Sequence, residues 1–456
     1  MKFTFRLIIS ERRYTMKKLM IAFFSLSLAA AFECFAAPTT VKVTSFTQAD
    51  DRTITIDYTL AGDPAVITLD IQTNASSWAS IGGRDLCRAQ GDVWKRVDAQ
   101  SGRITYRPGG DEAYPVFASG DVRAVLKAYP TNDPPAYMVV DLTENSSRRV
   151  RFYPSEDFVP GGVLANTDYR VSKLLMRKIP AAGVTWTMGS VSEGGGDDET
   201  AHPVCLADNY YIACFEFTQS QAQLVSGQTP ANLSNFTIEG SMRPCDKISY
   251  RNIRENPYNK NDENTAYQYP NSPHPTSYLG LLRTRSENLV DFDLPSEAQW
   301  EYACRAGTGE GVWNTGKPIS SAADLPGRFN DNGGKGSAKY DGGWKISAVG
   351  PTNGIATVGS YMKNAWGLYD MHGNIYEWCL DWYAADISGL NGAVNADENK
   401  FADGTALGET PYRVRRSGYF LSVAADCRSA KRYYAQPNAY SGSWTGFRPA
   451  APAVAK

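Results

Sequence analysis

Histidine is scarce in this chain. Only His202, His274 and His372 occur in 456 residues, none at a zinc-ligand spacing with Cys or Glu, so a His-based zinc centre is not expected. Long runs of one charge sign are also missing, and 46 Lys plus Arg stand against 48 Asp plus Glu. Nucleic acid and polybasic membrane contacts need a concentrated positive face, so neither partner is expected. The one long apolar run, Leu19 to Ala31, is shorter than the roughly 20 residues that a membrane span requires. What the chain does have is 26 Tyr, 10 Trp and 40 Gly within a 42% hydrophobic, 21% charged composition. That is an ordinary globular balance with an excess of rings, which either pack long loops or face a ligand. The length predicts two or three domains.

Lys17 and Lys18 precede the apolar run, and the small residues Cys34, Ala36 and Ala37 follow it. Basic, apolar and small segments in that order predict a signal peptide over residues 1–36, with the start at Met16 and cleavage after Ala36. Cys34 follows Phe32-Glu33, which is not a lipidation context. The mature chain is therefore expected outside the cytoplasm, periplasmic or secreted. It retains Cys87, Cys205, Cys214, Cys245, Cys304, Cys379 and Cys427. An oxidising compartment permits disulfides, and seven thiols leave at least one unpaired.

Residues 38–155 read as short strands. Val41-Lys42-Val43, Ile54 to Tyr58 and Val66 to Ile71 alternate with a period near two, and Val122 to Tyr129, Tyr137 to Leu142 and Val150 to Phe152 continue the pattern. This predicts an antiparallel β-sandwich of immunoglobulin or fibronectin type, a spacer or adhesion module. Residues 156–168, with Pro160-Gly161-Gly162, read as a linker. From 169 onward, long irregular stretches separate brief elements, so the fold class is α+β. One helix is legible: Ser296 and Gln299 form a capping-box pattern, Trp300, Ala303 and Cys304 share a face, and Gly307 is placed to stop it. Asp293, Glu297 and Glu301 could suggest acid–base carboxylates, but the i,i+4 spacing of Glu297 and Glu301 fits a solvated or loop-bonding face better. Gly194 to Glu199 reads as a flexible acidic loop and not a phosphate cradle, since no Lys accompanies it.

Five motifs stand in order along residues 169–450. They are Trp186-Thr187-Met188-Gly189-Ser190, Leu294 to Ala303, Gly367 to Trp378, Cys427-Arg428-Ser429-Ala430 and Gly446-Phe447-Arg448. Together they resemble the formylglycine-generating enzyme, or sulfatase-modifying factor, family, whose fold is a variant of the C-type-lectin-like fold. The resemblance implies oxidation of a substrate-protein Cys to formylglycine, using O2 and Cu(I) held by two thiols five positions apart; Cu(I) is soft and favours thiolates. Placing Arg413-Val414-Arg415-Arg416-Ser417-Gly418 on the family's matching stretch puts Ser422 and Cys427 at the two thiol positions. Ser422 cannot be a soft ligand. Tyr419, Tyr376 and Asp293 also depart from the family's usual Ser, Trp and Arg. In one reading Cys427 is the surviving catalytic thiol. In the other it is structural, with Cys379 its implied disulfide partner.

The resemblance also implies Ca2+. Asp370, Gly373, Ile375 and Glu377 match one family calcium site, and Asn330, Asp331, Asp341 and Gly343 match a second; carboxylates and main-chain carbonyls in loops suit that ion. Two functions therefore compete. One is a formylglycine-generating oxidase. The other is a divergent, non-oxidase module that binds a protein, peptide or glycan through Tyr419, Tyr433, Tyr434 and Trp444, rings set among small polar residues. Phe420 and Tyr440 lie in the same stretch. The missing thiol favours the binding module.

Overall fold

The structure is a computed structural model. It describes residues 39–74, 76–108, 120–145, 149–190, 196–227, 240–255, 265–309, 325–332, 338–340, 343–345, 354–395, 411–438 and 444–456. The chain divides into two compact units, 1–37 and 38–456. The predicted signal peptide lies outside the described residues, as do Asp341 and Tyr440. Among the described residues no helix is long and apolar enough to cross a membrane.

The predicted alternation builds strands near the start of the second unit. Ile54–Ala61 buries Ile54, Ile56, Tyr58 and Leu60 while the intervening residues stay at least partly exposed. It pairs antiparallel with Thr40–Gln48 on one side and Ser101–Tyr106 on the other. A second sheet centres on Ala65–Asn74, which pairs antiparallel with Val122–Pro130 along nine residue positions and with the short Trp78–Ser80 and Arg96–Val97. Ile67, Leu69 and Ile71 join the Ile54–Leu60 row in one core. Each such side chain contributes about 1.5–3 kcal/mol by leaving water.

The boundary expected at residue 155 cuts through a single sheet. Tyr137–Asp141 and Val150–Tyr153 do not join those two sheets. They form an antiparallel five-stranded sheet in the order Val150–Tyr153, Tyr137–Asp141, Lys173–Ile179, Tyr210–Ala213, Ala450–Pro452. The physical reason lies in Tyr137-Met138-Val139-Val140, where four consecutive residues are buried. Tyr137 and Val139 point into one core and Met138 and Val140 into another. A strand covered on both faces belongs inside a larger body. Residues 156–168 are likewise no free linker. Val159 and Val163 are buried, the Tyr169 hydroxyl donates to the Pro160 carbonyl at 2.8 Å, and a Cβ on Gly83 would sit 2.6 Å from the Phe158 ring.

The helix Glu297–Arg305 forms as expected. Ser296 and Gln299 make both bonds of the capping box, and the helix closes on a left-handed Ala306 just before Gly307. Its acidic face is not solvated, however: Glu297 and Glu301 are both buried. A last sheet, ordered Tyr433–Ala435, Arg413–Arg416, Tyr376–Trp382, Thr445–Gly446, packs against this helix and carries the candidate site; its final pair runs parallel.

Candidate functional site

The site is assembled from three stretches that the last sheet brings together. Arg413–Arg416 leads into Ser417 and Gly418, both at positive φ, and the chain turns back through Tyr419 and Ser422 to Cys427. Gly418 is obligatory there, because a Cβ would lie 2.8 Å from the Cys427 Sγ. Gly373 approaches from the other side, with φ of 96° and space for a Cβ only 2.2 Å from the Arg328 carbonyl oxygen. Between these glycines the Cys427 thiol is enclosed.

Ser422 lies near Cys427. The Ser422 hydroxyl accepts from the Tyr419 N–H at 3.2 Å and reaches the Cys427 thiol and the Tyr376 and Tyr433 phenols. Burial pushes the Cys427 thiol up to about 12, and the Asp426 charge adds to the shift, while the Ser422 hydroxyl opposes it. A thiol in that condition is protonated near neutrality, whereas the thiolate is the form that binds metal and attacks. All seven cysteines from Cys87 to Cys427 are free thiols. The implied Cys427–Cys379 disulfide is therefore not formed. Cys379 lies in the large core with Trp300 and Val414, and Cys427 lies among Gly373, Gly418 and Ser422. Below the site, His372 Nδ1 donates to the Cys427 carbonyl at 2.8 Å and Nε2 faces the Cys304 thiol at 3.6 Å. Burial drives His372 down to about 4, so it is neutral.

Three of the four expected ligand-contacting rings converge. Trp444 stacks on Tyr419 at 5.0 Å and 14°, and Tyr419 stacks on Tyr376 at 4.9 Å and 28°. Tyr433 meets Tyr376 edge-on at 4.7 Å. Tyr434 does not join them. It packs on Tyr383 and Tyr412, because neighbouring residues of the Tyr433–Ala435 strand face opposite sides of the sheet. Two members of the cluster were not singled out from the sequence as ligand contacts, Tyr376 and Arg415. The Arg415 guanidinium lies 4.4 Å from the Tyr376 ring centre and bonds the Thr445 hydroxyl. The available signal was the placing of Tyr376 at the family's Trp position.

A buried ionic lattice fixes the segment that bears Cys427. Arg428 pairs with Glu199 at 2.8 Å, Arg432 grips Glu297 through two bonds of 2.7 and 2.9 Å, and Arg416 and Arg305 share Glu301. Burial works against the Glu297 charge, but Arg432 and Arg416 more than offset it and hold the carboxyl below its ordinary range. The Glu199 end of the expected acidic loop is thus a buried anchor.

The expected calcium ligands are less uniform. Both Glu377 oxygens accept from Arg448, at 2.7 to 3.0 Å, and one also accepts from the Trp300 indole at 2.7 Å, so this carboxylate is engaged within the protein. Ile375 is buried in a small cluster with Ile355 and Phe420. Asp370 takes the Gly359 N–H on Oδ2 at 2.6 Å and leaves Oδ1 without a hydrogen bond; burial pushes it up to about 7. In the second set, Asn330 keeps Oδ1 without a partner, Asp331 lies in a 3-10 turn and Gly343 begins a short strand.

The fold and this site define a class: a mostly-sheet scaffold with few helices that carries a glycine-walled Ser–Cys pair beneath stacked rings. Residues 173–453 match the model of the sulfatase-modifying factor enzyme 1-like domain, and the chain belongs to that family. It is 34% identical over 155 residues to serine/threonine-protein kinase pkn1 of Chlamydia pneumoniae, covering 34% of this chain and 20% of that protein. It is 30% identical over 193 residues to chaperone protein LppX of Paenibacillus barcinonensis, covering 40% and 65%. It is 32% identical over 164 residues to the formylglycine-generating enzyme of Thermomonospora curvata, covering 35% and 48%. The matches thus span from a fifth to about two thirds of these relatives.

Proposed function

We propose that this family member is a binding module and not a formylglycine-generating oxidase, with the Trp444–Tyr419–Tyr376 stack and Tyr433 as its recognition face. The observation that carries the reading is a serine, Ser422, near Cys427 where the resemblance places the second thiol. A hydroxyl is a hard, neutral donor, and one thiol cannot give monovalent copper the two-sulfur grip that the oxidase chemistry needs. The burial of Cys427, which disfavours its thiolate, points the same way. The stacked rings, with Arg415 over Tyr376, offer apolar faces and polar edges suited to a peptide or a glycan. The basic, apolar and small residues at 17–37 support action outside the cytoplasm.

Purified protein incubated with Cu(I), O2 and a Cys-containing sulfatase-type peptide is expected to leave the peptide mass unchanged. Conversion to the aldehyde would overturn the proposal. Ser422→Cys should create a silver-binding site that the wild type lacks. On glycan and peptide arrays, Tyr419→Ala and Trp444→Ala should each weaken a hit by about tenfold, while Tyr434→Ala, on the other side of the sheet, should leave it unchanged.

A further inference from the structure

We propose that the cavity between the loop 87–95 and Arg151 binds a phosphate or sulfate group through Arg88, Lys95 and Arg151. The cavity has a volume of about 340 Å³, and Cys87 and Gly91 belong to its wall. None of the described residues that line it is acidic. Cations gathered around so small a space concentrate their field within it and favour an anion there. The fold holds them in place. Leu86, Ala89, Val93 and Trp94 are buried in the core of the first two sheets, which leaves Arg88 exposed and Lys95 half-buried. The Asp92 N–H donates to the Arg103 carbonyl at 3.0 Å and the Trp94 N–H to the Ile67 carbonyl at 2.8 Å, so the loop is tied to both sheets. Gly91, at φ of 91°, lies so close to the Arg103 carbonyl that no Cβ fits between them.

Arg151 arrives from a different sheet, on the strand Val150–Tyr153. Its guanidinium donates to the Val93 carbonyl at 2.8 Å, and the Phe152 N–H donates to the Trp94 carbonyl at 2.8 Å. These bonds fix Arg151 against the loop before any ligand arrives, which lowers the cost of binding. The Arg88 guanidinium makes no hydrogen bond or ion pair with a described residue. Lys95 meets Asp92 at 3.3 Å, but both partners are partly exposed, and such a pair is weak in water. Three cations less that one carboxylate leave two positive charges, which a sulfate or a phosphate dianion balances. An arginine fork matches two oxygens of a tetrahedral oxyanion, and a lysine adds a point charge. The cavity lies outside the family-matched residues 173–453, and it does not depend on the binding reading of the aromatic face.

Cys87 reports on the site, because its half-buried thiol stands on the cavity wall; Cys205, the other half-buried thiol, is the internal control. The full chain is titrated by calorimetry with inorganic sulfate and inorganic phosphate at constant ionic strength. Alkylation of both thiols by anionic iodoacetate and by neutral iodoacetamide is followed by peptide mass spectrometry. Each anion should bind at a single saturable site and slow the alkylation of Cys87 but not of Cys205. Without added anion, the ratio of iodoacetate to iodoacetamide rates should be about threefold higher at Cys87 than at Cys205. Arg88→Gln and Lys95→Gln should each weaken both anions about tenfold and abolish that preference. Their melting temperatures in anion-free buffer should match the wild type, so lost binding is not lost folding. Absence of saturable binding overturns the proposal, as does binding that survives both substitutions or protects Cys205 as strongly as Cys87. Glucose 6-phosphate separates the two sources of the group: tighter binding than inorganic phosphate supports a phosphate carried on a larger molecule, and weaker binding supports the free ion.

Discussion

Glu297 illustrates what a single residue contributes. It is buried with Arg432 and Arg416, and its nearest partner comes from 135 positions away. Removing one member of a buried pair strands the other charge, which costs about 3–5 kcal/mol. Arg432→Met should therefore lower unfolding free energy in urea by that amount, and adding Glu297→Gln should recover much of it. Asp381 gives a pH signature. Burial, reinforced by the Glu297 charge, pushes it up to about 7, against an ordinary value of 3.8. A carboxyl raised in the folded state binds its proton more tightly there than in the unfolded chain. Its stabilising contribution is complete below pH 4 and is lost as the pH climbs through 7, by up to about 4 kcal/mol. Melting curves from pH 4 to 8 should show that decline in the wild type, and Asp381→Asn should flatten it.

Among the elements, those governed by near neighbours were legible in the sequence. The helix Glu297–Arg305 was readable because the capping box is closed by residues three apart. Ser296→Ala should cost about 1 kcal/mol, measured by denaturant titration. The Ile54–Ala61 strand was readable because half-burial imprints a period of two. The five motifs of the C-terminal domain were readable as a family, and the family match agrees. Features set by distant partners were not readable. No local pattern in Tyr433-Tyr434 says that one ring meets Tyr376 and the other Tyr383; strand register decides it. Glu297 and Glu301 sit four apart, as exposed helix pairs do, and only Arg432, Arg416 and Arg305 make them interior.

For the whole molecule, the change in sequence texture does not mark an edge of the folded unit, which runs from 38 to 456. The texture changes near residue 169, yet the strand Lys173–Ile179 sits between Tyr137–Asp141 and Tyr210–Ala213. A chain beginning at residue 169 would lose Tyr137–Asp141 and Val150–Tyr153, leaving one edge of Lys173–Ile179 unpaired. It would also uncover Leu174, Leu175 and Met176, all buried by the complete sheet. An exposed apolar edge strand templates pairing with other chains. Residues 169–456 expressed alone should therefore aggregate, or elute as large assemblies in size-exclusion chromatography. A chain beginning at residue 131 keeps all five strands and should be more soluble and melt cooperatively. It would still expose Tyr153, Val159 and Val163, which in the full chain share a core with Ile67, Leu86 and Trp94, so it should melt below residues 38–456. Equal melting temperatures for the chains starting at 131 and 38 would show that the first two sheets are an independent module. The shared core argues for the opposite order, with stability rising each time a missing face is restored.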